Sequence, residues 1–196
     1  MKSIIYSILV VSLLLGANTF ASEVNGKDLP KKKQTTLGLY LTAKEAHDMF
    51  SKDGKNTLFI DVRTPAELEF VGMTDKVDAN VPYMLNDFAE WDAKKSRFKK
   101  VPNSDFTVAM EDKLAEKGLT KNDTVILMCR SGSRSSKAAD LLTKAGYTKV
   151  YTVVDGFEGD KAKKGAEKGK RAVNGWKNAN LPWTYKANGE KVYITM

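Results

Sequence analysis

Residues 124–135 read Thr124-Val-Ile-Leu-Met-Cys-Arg-Ser-Gly-Ser-Arg-Ser135. The first five are apolar and predict a buried strand, while the small polar residues after Cys129 predict a tight loop with Gly132 at its apex. Residues 136–144 have the spacing of a helix. This order places a thiol at the carboxyl end of a strand, where open α/β sheets bind their ligands. Cys129 is the single cysteine of the chain, so we expect a free thiol.

The rest of the chain alternates in the same way. Buried strands are predicted at 58–62, 124–128 and 150–154, and helices at 42–50, 64–67, 111–117 and 136–144. Uniformly apolar strands that alternate with helices predict an α/β fold, a parallel sheet with helices on both faces. Asn188-Gly189 between two apolar runs predicts a C-terminal β-hairpin. Residues 84–108 show helical spacing without a strong apolar stripe.

The N-terminus predicts export. A basic start, the apolar residues 4–16 and a small-x-small exit are typical of a signal peptide, which we place at residues 1–21 with cleavage after Ala21. The apolar segment is too short to cross a bilayer, which takes roughly 20 residues. The mature protein is therefore expected to be periplasmic or secreted, without membrane attachment. We predict a flexible leader at 22–36 and one domain at 37–196, with insertions near 84–108 and 160–172.

The chain is basic, with a formal net charge of +8. Lysines cluster at 31–33 and again from Lys161 to Arg171. Neither cluster interleaves with aromatic residues, so binding of single-stranded nucleic acid is not expected. The second cluster has two interpretations: a solvated loop, or a docking site for an acidic protein partner.

The loop after Cys129 has the composition of an anion site. Its backbone N–H groups can form a nest, and the N-terminus of the next helix adds positive potential, which favours the thiolate of Cys129. Guanidinium groups of Arg130 and Arg134 can hold an oxyanion bidentately. The candidate substrate-binding residues are Arg130, Ser131, Gly132, Ser133, Arg134 and Ser135. One cysteine and one histidine are too few for a conventional metal site, so none is predicted. The sequence contains no glycine-rich nucleotide fingerprint, so no cofactor is predicted.

Together with this loop, two further segments resemble the rhodanese-like sulfurtransferases, over residues 38–185. They are Phe59-Ile-Asp-Val-Arg63 with Thr64-Pro-Ala-Glu67, and Val153-Val-Asp-Gly-Phe157, before a closing Asn174-Gly-Trp176. The resemblance implies the rhodanese-like fold and a single-domain, exported sulfurtransferase. It implies that Cys129 takes sulfane sulfur from a small anionic donor such as thiosulfate, becomes a persulfide, and passes the sulfur to cyanide or a thiol.

The resemblance also assigns roles to individual residues. Cys129 is the nucleophile, the backbone of residues 130–134 forms the cradle, and Arg130 and Arg134 contact the donor. Asp61 and Arg63 correspond to a pair that supports the active-site end of the sheet and can form an ion pair. Gly72-Met73 stands where many members have a Gly-His pair.

Three alternatives remain open. A related class of cysteine phosphatases has five residues between its cysteine and arginine, whereas four separate Cys129 from Arg134. The shorter loop leaves too little room for a phosphoryl group, so this class ranks low. A non-turnover sulfur relay or partner-binding module is the second alternative. Redox sensing by the thiol is the third, and the absence of a resolving cysteine disfavours it.

Overall fold

The computed structural model describes residues 23–194. The predicted signal peptide, with its cleavage after Ala21, lies outside the described residues. Within them the chain forms seven strands and four α-helices. The strands are β1 (Tyr40–Leu41), β2 (Thr57–Asp61), β3 (Ala79–Asn80), β4 (Met84–Asp92), β5 (Arg97–Pro102), β6 (Thr124–Met128) and β7 (Val150–Val153). The helices are α1 (Ala43–Asp53), α2 (Pro65–Val71), α3 (Phe106–Glu116) and α4 (Ser133–Lys144).

Five strands form one parallel sheet in the order β1-β7-β6-β2-β3. Side chains of β2 alternate between its two faces: Leu58 and Ile60 join the core beneath α3 and α4, and Phe59 joins the core beneath α1 and α2. Both cores are apolar, which is why the strands read as continuous apolar runs. The predicted parallel sheet with helices on both faces is confirmed. Its carboxyl edge gathers the ends of β2, β6 and β7.

Residues 84–102 form an antiparallel hairpin, β4–β5, rather than the helical segment that their spacing suggested. Its register shifts between Asp87 and Trp91, which marks a bulge. Both faces of the hairpin are largely exposed, including the rings of Phe88, Trp91 and Phe98. The period-two alternation of a half-buried strand is therefore missing from the sequence of this segment.

The C-terminal hairpin predicted around Asn188-Gly189 is not formed by the described residues. Gly189 lacks the positive φ that a two-residue hairpin turn of this type requires. The flanking segments instead contact the sheet edge one at a time. Thr184 pairs with Met73 in an isolated antiparallel bridge, and the backbone N–H of Asn80 donates to the Lys191 carbonyl at 2.6 Å.

The segment predicted as a flexible leader lies against the domain from residue 23 onward. Lys33 is buried, and its ammonium group contacts Asp160 at 2.8 Å. The Ser136 hydroxyl of α4 donates to the Lys32 carbonyl. The leader and the start of the basic insertion are thus joined beside the helix that follows the cysteine loop. No helix in the described part of the chain is long and apolar enough to cross a membrane.

Candidate active site

Cys129 directly follows β6, and α4 begins four residues later at Ser133, three residues earlier than predicted. Gly132 is the residue before the helix, with φ of +90°. The loop is therefore very short. Residues 133–135 form the first turn of α4, so their backbone N–H groups point along the start of the helix toward the loop.

A second turn, at residues 154–159, supports the loop from below. The N–H of Phe157 donates to the Cys129 carbonyl at 2.8 Å, and the N–H of Glu158 donates to the Arg130 carbonyl at 2.9 Å. A Cβ atom on Gly132 would lie 2.2 Å from the Val154 carbonyl oxygen. The two turns pack backbone to backbone, so the loop has a single conformation into which only glycine fits at position 132.

The inner side of the loop presents N–H donors. The first N–H of α4 with an acceptor in the chain is that of Ser136, which donates to Gly132. In the described chain, the N–H groups of residues 130–135 donate to no protein acceptor. Six such donors in sequence are available for the anion-binding nest that the composition predicts. The Cys129 side chain is 1% exposed and lies at the start of this nest.

Arg134 is held in place by Glu67 of α2. Its two Nη atoms donate to the two carboxylate oxygens at 2.6 and 2.5 Å. Lys100 of β5 lies 3.5 Å from the same carboxylate. Burial alone would raise the pKa of Glu67, but the two cations outweigh it and hold that pKa far below its usual range. Arg134 therefore carries a fixed positive charge beside the loop. Its two Nη groups are hydrogen-bonded to Glu67 and are not free to bind an anionic substrate.

Asp61 and Arg63 form the ion pair expected at the end of β2. Both side chains are fully buried, and Arg63 donates to the carboxylate through Nε and Nη2, the latter at 2.7 Å. The guanidinium also donates to the Gly72 carbonyl and stacks 3.9 Å from the Phe157 ring centroid. The pair thus connects the end of β2 with the turn that supports the cysteine loop.

The three serines of the loop have different surroundings. Ser135 is fully buried beneath the loop, where its hydroxyl donates to the Gly132 carbonyl and accepts from Thr152 at 2.6 Å. Ser135 was predicted to contact substrate, but its hydroxyl is instead hydrogen-bonded to two protein groups beneath the loop and fixes the loop there. Ser131 and Ser133 are half-exposed and remain available to a ligand.

A cavity of about 540 Å³ lies above the loop. Its floor includes Arg130, Ser133 and Arg134, and its wall is the β4–β5 hairpin. The lining residues are Glu67, Met84, Asp92, Lys95, Arg97, Lys99, Lys100, Arg130, Ser133 and Arg134. Sequence reasoning missed the four basic residues of the hairpin. Their clustering within residues 94–100 was the one available signal, and it did not indicate which surface they would face.

Two further residues near the loop were also missed. Arg171, from the basic insertion, donates to the Gly159 carbonyl. The N–H of Gly159 in turn donates to the Arg130 carbonyl at 3.3 Å, so this third arginine lies close to the loop. Burial lowers the pKa of Arg171, and the neighbouring Arg130 lowers it further. Asp155 accepts from the backbone N–H groups of Ala43 at 2.8 Å and Gly175 at 2.9 Å, and burial raises its pKa. It connects three segments of the chain behind the supporting turn.

Comparisons with known proteins agree with this architecture. The rhodanese-like domain profile matches residues 42–163. An uncharacterized protein of Rickettsia rickettsii, the RP600 homolog, is 32% identical over 72% of this chain and 93% of its own length. Thiosulfate sulfurtransferase 16, chloroplastic, of Arabidopsis thaliana is 32% identical over 57% of this chain and 78% of its own. The crystal structure of Rv0390 from M. tuberculosis superposes with a TM-score of 0.56 and 31% identity, over 75% of this chain and 97% of that one.

Proposed function

Since the chain belongs to the rhodanese-like domain family, we propose that it is a sulfurtransferase with a persulfide on Cys129 as its intermediate. The proposed donor is a small anion such as thiosulfate, and the proposed acceptor is a thiol or cyanide. The observation that carries the proposal is the position of Cys129 at the start of a loop with six backbone N–H groups that have no acceptor within residues 23–194, flanked by Arg130 and Arg134.

In the first step the Cys129 thiolate attacks the outer sulfur of thiosulfate. A bond forms between Sγ and that sulfur, the sulfur–sulfur bond of thiosulfate breaks, and sulfite leaves with the electron pair. The negative charge passes to the outer persulfide sulfur, which the loop N–H groups are placed to stabilise. Arg130, whose guanidinium has no ion-pair partner within residues 23–194, is the residue that we assign to the sulfonate oxygens.

In the second step an acceptor thiolate attacks the outer sulfur of the persulfide. A new sulfur–sulfur bond forms on the acceptor, the bond to Sγ breaks, and Cys129 leaves as the thiolate that begins the next cycle. The two steps balance without an external oxidant or reductant. They define a ping-pong mechanism with one covalent intermediate.

The size of the nest supports sulfur transfer over phosphoryl transfer. Gly132 lies against the Val154 carbonyl and immediately precedes α4. Only the four residues 130–133 therefore separate Cys129 from Arg134. An anionic persulfide sulfur is a single atom, whereas a phosphoryl group needs donors around three oxygens. The short loop therefore disfavours the cysteine-phosphatase alternative.

Two other expectations stay predictions. Export of the chain depends on residues 1–21, outside the described part. Docking of an acidic partner by the run from Lys161 to Arg171 would make the protein a relay that passes sulfur only within a complex. Reversal of the lysine charges to glutamate would abolish partner binding in that case, while retained binding would exclude a docking role for this segment.

Mass spectrometry of the intact protein tests the proposed function. Incubation with thiosulfate is expected to add the mass of one sulfur atom, and cyanide is expected to remove it. The Cys129→Ser variant, folded by circular dichroism, serves as the control and gains no mass. A folded protein with a free thiol that gains nothing from thiosulfate would overturn thiosulfate as donor and leave the partner-dependent relay as the better hypothesis.

A further inference from the structure

The cavity above the loop carries an excess of positive charge. Six of its lining residues are cations and two are carboxylates. Four of the cations have an acidic partner: Lys95 pairs with Asp92, Lys99 with Glu90, and both Lys100 and Arg134 with Glu67. These four are compensated by the protein itself.

The other two cations, Arg97 and Arg130, line the same cavity from two different elements. Arg97 belongs to β5 and Arg130 to the cysteine loop. Neither has an ion pair or a side-chain hydrogen bond within residues 23–194, and the Nε atom of each is buried without an acceptor. Buried donors of a charged group are costly when unsatisfied, so two arginines of one cavity that each hold a buried Nε donor without an acceptor within residues 23–194 point to an anion as the occupant of the cavity.

The cavity is larger than the proposed donor needs. Thiosulfate has five non-hydrogen atoms, whereas cavities of roughly 300–1,000 Å³ accommodate organic ligands. At about 540 Å³ the space between hairpin and loop has room for a small peptide-sized molecule. Arg97, on the wall, would contact a part of such a molecule distant from its reacting sulfur.

We propose that Arg97, with Arg130, forms a carboxylate subsite that selects organic thiol acceptors bearing a carboxylate. The inference rests on the proposed function, because the acceptor is the thiol of its second step. The carboxylate of the acceptor binds between the guanidinium groups, and its thiolate attacks the outer sulfur of the Cys129 persulfide. The product is the acceptor persulfide, with Cys129 released as thiolate. Arg97 is a specificity-determining residue in this scheme and does not touch the reacting atoms.

The test compares two acceptors that carry the same thiol group and differ in their carboxylates. Glutathione carries two carboxylates, and both are blocked in its diethyl ester. With thiosulfate as donor, wild-type protein is expected to show a kcat/KM for glutathione roughly tenfold above that for the ester, through a lower KM. Arg97→Gln should bring this ratio close to one. Lys94→Gln, which removes an exposed charge of the same hairpin outside the cavity lining, should leave the ratio unchanged.

Each other outcome has a distinct meaning. A wild-type ratio near one, with persulfide formation and cyanide turnover intact, would overturn the carboxylate subsite and leave the proposed function standing. An Arg97→Gln ratio equal to that of wild type would overturn the role of Arg97. Absence of persulfide formation in wild-type protein would overturn the proposed function itself. If Arg97→Gln melts at a lower temperature than wild type, Arg97→Lys is the second variant, because lysine keeps the charge without the planar guanidinium. Arg97→Lys should give a ratio between those of wild type and Arg97→Gln. A ratio equal to that of wild type would again exclude the subsite.

Discussion

The cysteine loop and the β4–β5 hairpin face each other across one cavity, but the protein holds them in different ways. The loop is fixed by backbone contacts to the turn at 154–159 and by the buried Ser135 beneath it. The hairpin is exposed on both faces and reaches the active site through Lys100, which lies 3.5 Å from Glu67. Its aromatic rings stack mainly on one another, as Trp91 and Phe98 do.

In the proposed function the cysteine loop carries out the reaction, and the hairpin selects the acceptor. In the proposed reaction the backbone donors must keep their geometry through every cycle, which suits a loop held by packed backbone beneath it. In the same proposal the hairpin is the wall that binds acceptors of different structure, which requires charge and surface area more than rigidity and suits an exposed hairpin. We therefore expect substitutions in the loop to affect the reaction or the whole fold, and those in the hairpin to have local or selective effects.

The largest effect is expected from Cys129→Ser. Serine keeps the size of the side chain but supplies no sulfur nucleophile, so sulfur transfer should fall by on the order of 10³-fold or more. Sulfite release from thiosulfate in the presence of cyanide measures it. Ser131→Ala, a neighbouring change on the half-exposed side of the loop, is the control and should retain the persulfide. Turnover by a purified Cys129→Ser protein would place the nucleophile elsewhere.

Gly132→Ala should be the most destabilising change in the loop. The new Cβ combines a φ of +90° with a position 2.2 Å from the Val154 carbonyl oxygen, so backbone must move. Gly146→Ala is the matched control, since Gly146 has a φ of +92° and open space around its Cβ position. Left-handed strain alone costs about 1–2 kcal/mol. Urea denaturation should give a distinctly larger loss for Gly132→Ala; equal losses would mean that the backbone contact adds nothing.

Glu67→Gln tests the ion pair between loop and hairpin. Glutamine can still cap α2 but leaves the half-buried Arg134 uncompensated, so we expect a loss of roughly 1–3 kcal/mol. The Arg134 and Lys100 cations lower the folded-state pKa of Glu67, so its stabilising effect is fully present above its usual value near 4.5 and is lost as the pH falls below it.

The difference in unfolding free energy between wild type and Glu67→Gln should therefore shrink on acidification below about pH 4.5. Glu69→Gln is the control: Glu69 is exposed on the same helix, and its substitution should not show the loss of stability expected of Glu67→Gln at pH 7. A difference that stays constant from pH 7 to pH 3 would contradict the assignment of the effect to the Glu67 charge.

Trp91→Ala should have the smallest effect on the whole molecule. Its ring lies edge-on to Phe98, with centroids 5.3 Å apart, and is 56% exposed. Loss of this contact costs about 0.5–1.5 kcal/mol, and only within the hairpin. Hydrogen exchange should become faster in residues 84–102 and remain unchanged in 124–144. Faster exchange in β6 and α4 as well would show that the hairpin supports the loop after all.

The same contrast explains which parts of the structure could be predicted from sequence. The loop and its strand are buried, so their order of apolar run, cysteine and glycine indicated both fold and site. The hairpin lacks a buried face, and the bulge between Asp87 and Trp91 interrupts its alternation. Nothing in that segment distinguished two strands from a helix. The basic residues that line the cavity were visible as a cluster, but not as a wall opposite Arg130.

Local patterns also failed where distant contacts decide the outcome. Asn188-Gly189 predicts a hairpin turn, yet the chain after it is held by Asn80 and by the Lys191 ammonium, which donates to the Val77 carbonyl. Ser135 was expected to contact a ligand because its hydroxyl is one of three that the serines of the loop could offer, but that hydroxyl is buried and accepts from Thr152 of β7. Short-range signals contain no information about partners so far along the chain.

The hydrogen bonds of Asp155 have a consequence for how the molecule is made. Its carboxylate accepts from Ala43, 112 residues earlier, and from Gly175, 20 residues later. Contacts of such sequence separation form late in folding, because the intervening chain loses entropy before they are made. During synthesis the Asp155 carboxylate can complete both hydrogen bonds only after residue 175 has left the ribosome. A nascent chain therefore carries Cys129 before the contacts that Asp155 makes behind the loop are complete.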